Sequence, residues 1–291
     1  MKKEKIGFCI LHYLVKDVTI NCVNSIMEKC KGENYAIVIV DNASNNNSGK
    51  ELQKLYKNNN KVKVIINKTN LGFAKGNNVG FRYLKKLGCD YIVMLNNDTL
   101  LLTNHFGEEI IKEWKKSKFD VMGPEIIDIN NRVYLYGSPI WTKKHFKKAI
   151  QMDKILILLS HLHLLRLLVK LKDKKENHQE VKEAKMKYQK DAFLHGCCFI
   201  FSKNYIDKFD GLDDRTFLYG EEALLYLRLK KNKMLSVYNP KIKIKHLEDV
   251  STDYEIPNFN KKRIKAYKNH IKSNKIILEE LKKIEESEIN M

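Results

Sequence analysis

Short apolar runs alternate with stretches of helical periodicity in the first half of the chain. Four of these runs are rich in β-branched residues and end in polar turns, as buried parallel strands do: residues 6–11, 36–40, 62–66 and 91–95. Between them, apolar residues recur at helical spacing, as at Val18, Cys22 and Ile26. Strands that alternate with helices predict an α/β protein with a mostly parallel sheet that helices cover on both faces.

Polar loops follow the predicted strands, and in such sheets ligands bind at the carboxyl ends of the strands. These loops begin at His12, Asp41, Asn67 and Asn96. An aspartate after the second strand can accept a hydrogen bond from a sugar hydroxyl or a base N–H. Taken singly, each loop is also an ordinary turn, and an aspartate such as Asp98 is most often a turn former. The chain has no P-loop and no dinucleotide-binding glycine motif, which argues against those two enzyme classes.

Residues 143–190 follow a different pattern. Residues 155–171 are mostly apolar, and one polar stripe runs along the helix that they predict: Ser160, His163, Arg166 and Lys170. This stretch is short for a bilayer span and carries charge. It indicates an amphipathic helix at a membrane interface, or a helix packed in the core or against a second subunit, and the periodicity leaves these alternatives open. The lysine-rich run over residues 172–190 also suits an anionic membrane surface.

Composition narrows the class of protein. The chain has 291 residues, of which 43% are apolar, enough to bury a large core. Its 54 Lys and Arg against 35 Asp and Glu give a net charge of +19, which favours polyanions such as nucleic acid, anionic lipid or phosphorylated ligands. Because it has no zinc-finger spacing, RNP-like aromatic motif or basic zipper, we expect no nucleic-acid partner. Six cysteines without a C-x-x-C pair, several of them in apolar runs, indicate buried reduced thiols in a cytosolic protein.

The N-terminus, MKKEKIGFCILHYLVKD, has the basic start and apolar centre of a signal peptide. Its apolar segment is short, is interrupted by His12 and has no small-residue cleavage site. We therefore interpret it as the first strand of the sheet.

In the second half, carboxylates open a predicted helix and a histidine ends a predicted strand. Glu221 and Glu222 follow a Gly-Leu-Asp turn, at a position where the helix dipole stabilises negative charge. A carboxylate there that faces a cleft can instead act as a general base. His246 follows the strand-like run KIKIK, and a lone histidine of this kind is more often a surface or packing residue than a metal ligand.

Six sequence blocks in a fixed order carry a family resemblance. They are VDNASNN, NLGFAKGNNVG, MLNNDT, HGCCFIFSKN, GLDDRTFLYGEEALLYLR and KHLEDVS, spread over roughly residues 5–250. Together they resemble the family 2 glycosyltransferases of the GT-A fold, particularly the bacterial rhamnosyltransferase-like branch. The resemblance implies a Rossmann-like nucleotide-binding half and an acceptor-binding half around a mostly parallel sheet.

The activity that the resemblance implies is inverting sugar transfer. The donor is a nucleotide diphosphate sugar, dTDP-rhamnose-like or UDP-hexose, and the acceptor is a hydroxyl of a saccharide or lipid-linked molecule in bacterial cell-surface polysaccharide synthesis. The family usually uses Mg²⁺ or Mn²⁺, hard ions that neutralise the developing charge of a diphosphate leaving group.

The resemblance also assigns roles to individual residues. The implied nucleotide-sugar contacts are Tyr13, Asp41, Asn70, Gly72, Phe73, Asn77, Asn97 and Asp98. The implied metal ligands are Asp98 and His246, the implied base is Glu222 with Glu221 in support, and the implied acceptor contacts are His195, Gly196 and Tyr219.

Two positions depart from the family pattern. Asn96 stands where the D-x-D metal motif has its first aspartate, and Leu224 stands where many relatives carry a further aspartate. The first change leaves one strong anionic ligand in place of two. A nucleotide-sugar-binding protein with little or no transferase activity is therefore the alternative interpretation.

These interpretations divide the chain into four parts. Residues 1–142 form the nucleotide-sugar-binding half, 143–190 a basic helical insertion, 191–255 the acceptor and catalytic half, and 256–291 a helical tail. We expect the tail to form one or two amphipathic helices that pack on the domain or on a second subunit as a homodimer. We also expect a cytoplasmic protein that contacts the inner face of the plasma membrane through residues 155–190.

Overall fold

The computed structural model describes residues 3–134, 142–162, 187–247 and 259–289. Three features predicted above fall partly outside these ranges. They are the polar stripe from His163 onward, most of the lysine-rich run up to residue 190, and the end of the KHLEDVS block.

Within the described residues, nine strands form one mixed sheet. The strands are β1 (Ile6–His12), β2 (Tyr35–Asp41), β3 (Val62–Ile66), β4 (Tyr91–Asn96), β5 (Thr99–Leu101), β6 (Val121–Ile127), β7 (Gln189–Lys190), β8 (Cys198–Phe201) and β9 (Ser236–His246). Their order is β3-β2-β1-β4-β8-β6-β9-β5, with β7 paired to β9. The first four strands pair in parallel, as do β6 and β9, whereas β8 lies antiparallel to β4 and β6. All four strands predicted from the apolar runs are confirmed.

Eight helices pack around this sheet in the described parts of the chain. They are α1 (Lys16–Lys29), α2 (Ser48–Leu55), α3 (Phe73–Lys86), α4 (Phe106–Ser117), α5 (Lys143–His161), α6 (Lys203–Lys208), α7 (Glu221–Lys231) and α8 (Phe259–Ile289). Because helices cover both faces of β1 and β2, nearly every residue of these two strands is buried.

Close packing of α3 on the first strands depends on a glycine. A Cβ on Gly80 would lie 2.3 Å from Cys9 Sγ and 3.0 Å from side-chain carbons of Val38 and Val40. The helix backbone therefore approaches the sheet more closely than any other residue at this position would permit. All six cysteines are buried free thiols, as predicted, and burial raises the pKa of Cys9 to about 12.

The C-terminal tail is a single 31-residue helix, α8, that packs on α5 and α7 of the same chain. Ile277 of α8 is 1% exposed and belongs to a small apolar cluster with Phe146 of α5 and Leu224 of α7. This contact gives Leu224 a structural role, because an aspartate at this position would lie in an apolar environment. The apolar side chain at position 224 therefore takes part in the packing of the tail.

Within the described residues, the structure contains no helix that is both long enough and apolar enough to cross a membrane.

Candidate active site

The side-chain amide of Asn42, at the carboxyl end of β2, organises the loop before α3. Its Nδ2 donates hydrogen bonds to Asn70 Oδ1 at 2.9 Å and to the Gly72 carbonyl at 3.0 Å, while its Oδ1 accepts from the Leu71 N–H at 3.0 Å. Asn42 is 3% exposed, so these bonds form away from water. Sequence reasoning assigned it no role, although it follows Asp41 within the VDNASNN block.

Gly72 joins this loop to the loop that precedes α7. Its φ is +80°, and a Cβ there would lie 2.2 Å from the Phe217 carbonyl oxygen. The next residue, Phe73, donates its N–H to that same oxygen at 2.8 Å. Only glycine fits this backbone conformation and this approach, so the two halves of the fold meet at Gly72.

A cavity of about 230 Å³ opens at this meeting point. Its lining comes from loops at the strand ends, from the loop before α7, and from α8: Leu11, Tyr13, Asn42, Asn70, Gly72, Phe73, Asn96, Asn97, Asp98, Phe217, Leu218, Tyr219, His246, Lys262, Lys265, Ala266 and Asn269. The structure therefore gathers eight of the predicted site residues around one space: Tyr13, Asn70, Gly72, Phe73, Asn97, Asp98, Tyr219 and His246. As the sheet topology predicts, this space lies at the carboxyl ends of the parallel strands.

Asp98 and His246 lie side by side in the lining of this cavity. Antiparallel pairing of β5 with β9 sets Thr99 opposite His246 and so brings Asp98 Oδ1 to 3.2 Å from His246 Nε2. The two residues are 6% and 8% exposed, yet Asp98 Oδ1 and both imidazole nitrogens make no hydrogen bond within the described parts of the chain. The two side chains lie at ion-pair distance from each other, but buried polar atoms without hydrogen bonds are costly. A carboxylate and an imidazole at this separation can ligate one divalent ion. The residues therefore fit a metal site.

A second cluster of potential metal ligands lies near the amino ends of β1 and β2, away from the cavity. Ligand atoms of Glu33, His105 and Glu108 lie within 4.8 Å of one another. The Glu33 carboxylate, however, already accepts backbone hydrogen bonds from Gly107 at 3.0 Å and Glu108 at 3.2 Å, which caps the start of α4. This helix cap accounts for the position of Glu33 without a metal ion.

His12 and Asp41 lie beneath the cavity instead of lining it. His12 is fully buried between Thr19 Oγ1 at 2.7 Å and Ser48 Oγ at 2.8 Å, and burial lowers its pKa to about 4 although nearby Asp41 acts to raise it. Asp41 is 2% exposed and accepts hydrogen bonds from the hydroxyl and the N–H of Ser44. The predicted contact between Asp41 and the nucleotide base stays a prediction.

Asn77 and Asn97 make hydrogen bonds within the protein. Asn77, inside α3, is 1% exposed and donates to the Phe73 carbonyl at 3.1 Å, so it does not line the cavity. Asn97 lines the cavity and donates to Thr19 Oγ1 at 3.1 Å. The role predicted for Asn77 stays a prediction, and its amide donates a hydrogen bond within the first turns of α3, where Phe73 begins the helix.

Glu222, in the first turn of α7, contacts the predicted acceptor segment. Its Oε1 accepts a hydrogen bond from the Gly196 N–H at 3.1 Å, and a Cβ on Gly196 would lie 2.6 Å from that oxygen. The ring of neighbouring His195 lies 6.1 Å from the ring of His246 and 5.3 Å from that of Tyr134. The structure thus brings Glu222, Gly196, His195 and His246 close together, and of these residues only His246 lines the cavity.

Glu221, the neighbour of Glu222, lies in a different environment. It is 5% exposed, and Thr216 Oγ1 lies 3.3 Å from its Oε1. Burial, followed by the adjacent charge of Glu222, raises the pKa of Glu221 to about 8. At neutral pH, Glu221 therefore retains its proton.

The cavity wall contributed by α8 was missed by sequence reasoning. Lys262, Lys265, Ala266 and Asn269 line it, whereas no chemistry had been assigned to the tail. Ser273 Oγ donates to the Leu218 carbonyl at 3.1 Å, which fixes this helix against the loop before α7. The only signal available in the sequence was the recurrence of lysines in the first turns of the tail.

Comparisons with known proteins identify the class of protein. The sequence model of the family described as Glycosyl transferase family 2 matches residues 8–209, more than half of the chain. No curated protein sequence matches it. Among solved structures, the chain is similar to GalNAc-T7 crystallised with UDP, GalNAc and Mn²⁺, at 12% identity and a TM-score of 0.55 over 84% of this chain and 44% of that one. It is also similar to S. aureus TarS 1–349 in complex with UDP, at 13% identity and a TM-score of 0.52 over 86% of this chain and 62% of that one.

The mixed sheet and its flanking helices are the GT-A fold of glycosyltransferases, as predicted. The chain belongs to glycosyl transferase family 2. It spans less than two thirds of the length of either solved structure, and at these identities the structures show the fold alone. The rhamnosyltransferase-like branch stays a prediction.

The raised pKa of Glu221 predicts how stability depends on pH. The folded protein binds more protons than the unfolded chain between the ordinary value of 4.5 and about 8, so Glu221 makes the free energy of unfolding fall as pH rises across that window. We expect Glu221→Gln to remove this fall. Urea unfolding of both proteins at about pH 5 and about pH 8.5 measures it, with Glu28→Gln on an exposed position of α1 as the control. Parallel stability curves for wild type and Glu221→Gln would contradict the prediction.

Proposed function

We propose that this protein transfers a sugar from a nucleotide diphosphate donor to an acceptor hydroxyl with inversion at the anomeric carbon. The observation that carries the proposal is the buried pair Asp98 and His246, whose facing atoms have no hydrogen-bond partner in the described residues and border the cavity. Family membership supplies the reaction class, and the solved relatives contain UDP, one of them with Mn²⁺. A dTDP-rhamnose-like or UDP-hexose donor is the expectation.

The nucleoside end of the donor fits the part of the cavity formed by Tyr13, Asn70, Gly72 and Phe73. Aromatic rings at Tyr13 and Phe73 offer faces for a base or a ribose, and the Asn42 network holds the loop in place before the donor arrives. Asp41 and Asn77 do not line the cavity. Asp41 supports its own loop by accepting hydrogen bonds from Ser44, and Asn77 supports the first turns of α3, where Phe73 lies.

The diphosphate end fits against Asn96, Asn97, Asp98 and His246. Asp98 and His246 would hold Mg²⁺ or Mn²⁺, which when bound neutralises the charge that develops on the leaving diphosphate. Because Asn96 replaces the usual first aspartate, this chain offers such an ion one carboxylate, and the donor's phosphate oxygens would supply more of its ligands.

Glu222 is the proposed general base. The acceptor hydroxyl oxygen forms a bond to the anomeric carbon while the bond from that carbon to the diphosphate oxygen breaks, and the hydroxyl proton passes to the Glu222 carboxylate. Glu221 retains its proton and so does not add a second negative charge beside the base. His195, Gly196 and Tyr219 are the proposed acceptor contacts, since Gly196 fixes the Glu222 carboxylate and Tyr219 lines the cavity.

Substitution of the base tests the mechanism. We expect Glu222→Gln to lower sugar transfer by about 10²-fold or more, because the amide cannot accept the acceptor's proton, and to leave UDP binding intact. Transfer is measured with a panel of nucleotide sugars and saccharide or lipid-linked acceptors, and UDP binding by calorimetry. Glu28→Gln is the control for removal of a carboxylate. Unchanged transfer in Glu222→Gln would refute the assignment, and UDP binding without turnover by wild type would favour a binding protein.

The asparagine in the metal motif gives a second prediction. Asn96→Asp adds a carboxylate beside Asp98, so we expect Mn²⁺ in the presence of UDP to bind about tenfold more tightly. Calorimetric titration of Mn²⁺ measures this, with Asn58→Asp, an exposed position in the turn after α2, as the matched control. Equal Mn²⁺ affinity in all three proteins would show that residue 96 does not face the ion.

Membrane association through α5 gives a third prediction. Three apolar side chains on one side of α5 are exposed, at 48% for Met152, 52% for Ile155 and 59% for Leu158, and Leu162, which follows the helix directly, is 56% exposed. We propose that this row, at the start of the segment predicted to reach the membrane, inserts at the lipid interface. Replacing Ile155, Leu158 and Leu162 with serine is expected to reduce co-sedimentation with anionic liposomes severalfold.

The matched control replaces exposed apolar residues elsewhere, Leu55 at 57% and Ile129 at 54%, with serine. Equal liposome binding by both variants and wild type would refute the membrane role of α5.

A further inference from the structure

A second groove lies between the end of α5 and the first half of α8. It has a volume of about 470 Å³ and is lined chiefly by four lysines of α8, namely Lys261, Lys265, Lys268 and Lys272, with His161 of α5 across from them. No carboxylate is among its lining residues in the described parts of the chain. We refer to it as the lysine groove.

Positive charge is concentrated in the N-terminal half of α8, which is unusual for a helix. Residues 259–275 contain six lysines and one arginine and no acidic residue, whereas the acidic residues of α8 lie in its second half, where Glu280 and Glu285 pair with Arg215 and Lys143. Positive side chains near a helix N-terminus oppose the helix dipole, and like charges three or four residues apart repel. The first half of α8 therefore concentrates positive charge beside the lysine groove.

The lysine groove is continuous with the active-site cavity. Lys265 and Asn269 line both spaces, so a group held in the lysine groove lies next to the reacting molecules. The diphosphate of the donor already has its proposed place at Asp98 and His246. The lysine groove is therefore available for a second anion, one that arrives with the acceptor.

The neighbouring surface indicates what carries this anion. His161, which lines the lysine groove, lies on the same helix as the exposed apolar row that ends at Leu162. An ammonium cluster beside an apolar row matches a phosphate group attached to a hydrocarbon chain. We propose that the lysine groove binds the diphosphate of a lipid-linked acceptor and so presents its saccharide to Glu222. This inference rests on the proposed function.

Calorimetric titration tests the lysine groove with two probes, inorganic pyrophosphate and farnesyl diphosphate, in the presence of saturating UDP and Mn²⁺. We expect both probes to bind, farnesyl diphosphate more tightly, and Lys268→Ala/Lys272→Ala to weaken each by about tenfold. The matched control is Lys282→Ala/Lys283→Ala, which removes the same charge from exposed positions farther along α8. The control is expected to bind both probes as wild type does.

Four results would overturn the inference. The first is that the two double variants bind the probes with equal affinity, and the second is that the probes no longer bind when UDP and Mn²⁺ saturate the cavity. The third is that pyrophosphate binds as tightly as farnesyl diphosphate. The fourth is that the two double variants differ in the same way in binding to phosphatidylglycerol vesicles, which carry no diphosphate. The second would make the groove part of the donor site, and the last would indicate a general attraction to anionic membranes.

Separate titration of UDP with Mn²⁺ distinguishes failure of the lysine groove from failure of the proposed function. If UDP does not bind wild type, the proposed function fails. The difference between the two double variants in pyrophosphate binding still tests the lysine groove, because both variants keep the cavity unchanged.

Discussion

The short antiparallel pairing of β5 with β9 is the constraint on which the site depends. It joins parts of the chain almost 150 residues apart and sets Asp98 beside His246 below the surface of the cavity. Loop closure over such a distance is entropically unfavourable, and the surrounding sheet stabilises it through the parallel pairing of β9 with β6. The position of the Asp98 and His246 pair therefore depends on the formation of the sheet that carries β5, β6 and β9.

The sequence predicted the first half of the fold well, because the strands there are short, continuous and apolar. The candidate residues followed from the order of six motifs, and eight of them surround one cavity. Other features could not be predicted, since they arise from contacts between distant segments. The lysines of α8 reach the cavity because this helix packs on α5 and α7, as Ile277 does on Leu224, and the retained proton of Glu221 results from its burial.

Leu224 departs from the family pattern described above and has a packing role in this chain. Where many relatives carry an aspartate, this chain has an apolar side chain that is 2% exposed beneath α8. The substitution removes a carboxylate from the region of the base and provides an anchor for the tail. The tail in turn supplies polar and basic side chains to the cavity wall. Leucine at position 224 therefore affects the site twice: it leaves no carboxylate near Glu222, and it anchors the helix that lines the cavity.

The protonated state of Glu221 also affects how quickly a donor reaches the cavity. A nucleotide diphosphate sugar is an anion, and its diffusion toward the site is governed by the summed potential of the surface around the entrance. Asn96, which lines the cavity, carries no charge where an aspartate would carry one. Glu221, two residues from the cavity-lining Tyr219, is buried with a raised pKa and so adds no negative charge near neutral pH. Together with the net charge of +19, they favour electrostatically steered capture, with a rate of association that falls as ionic strength rises.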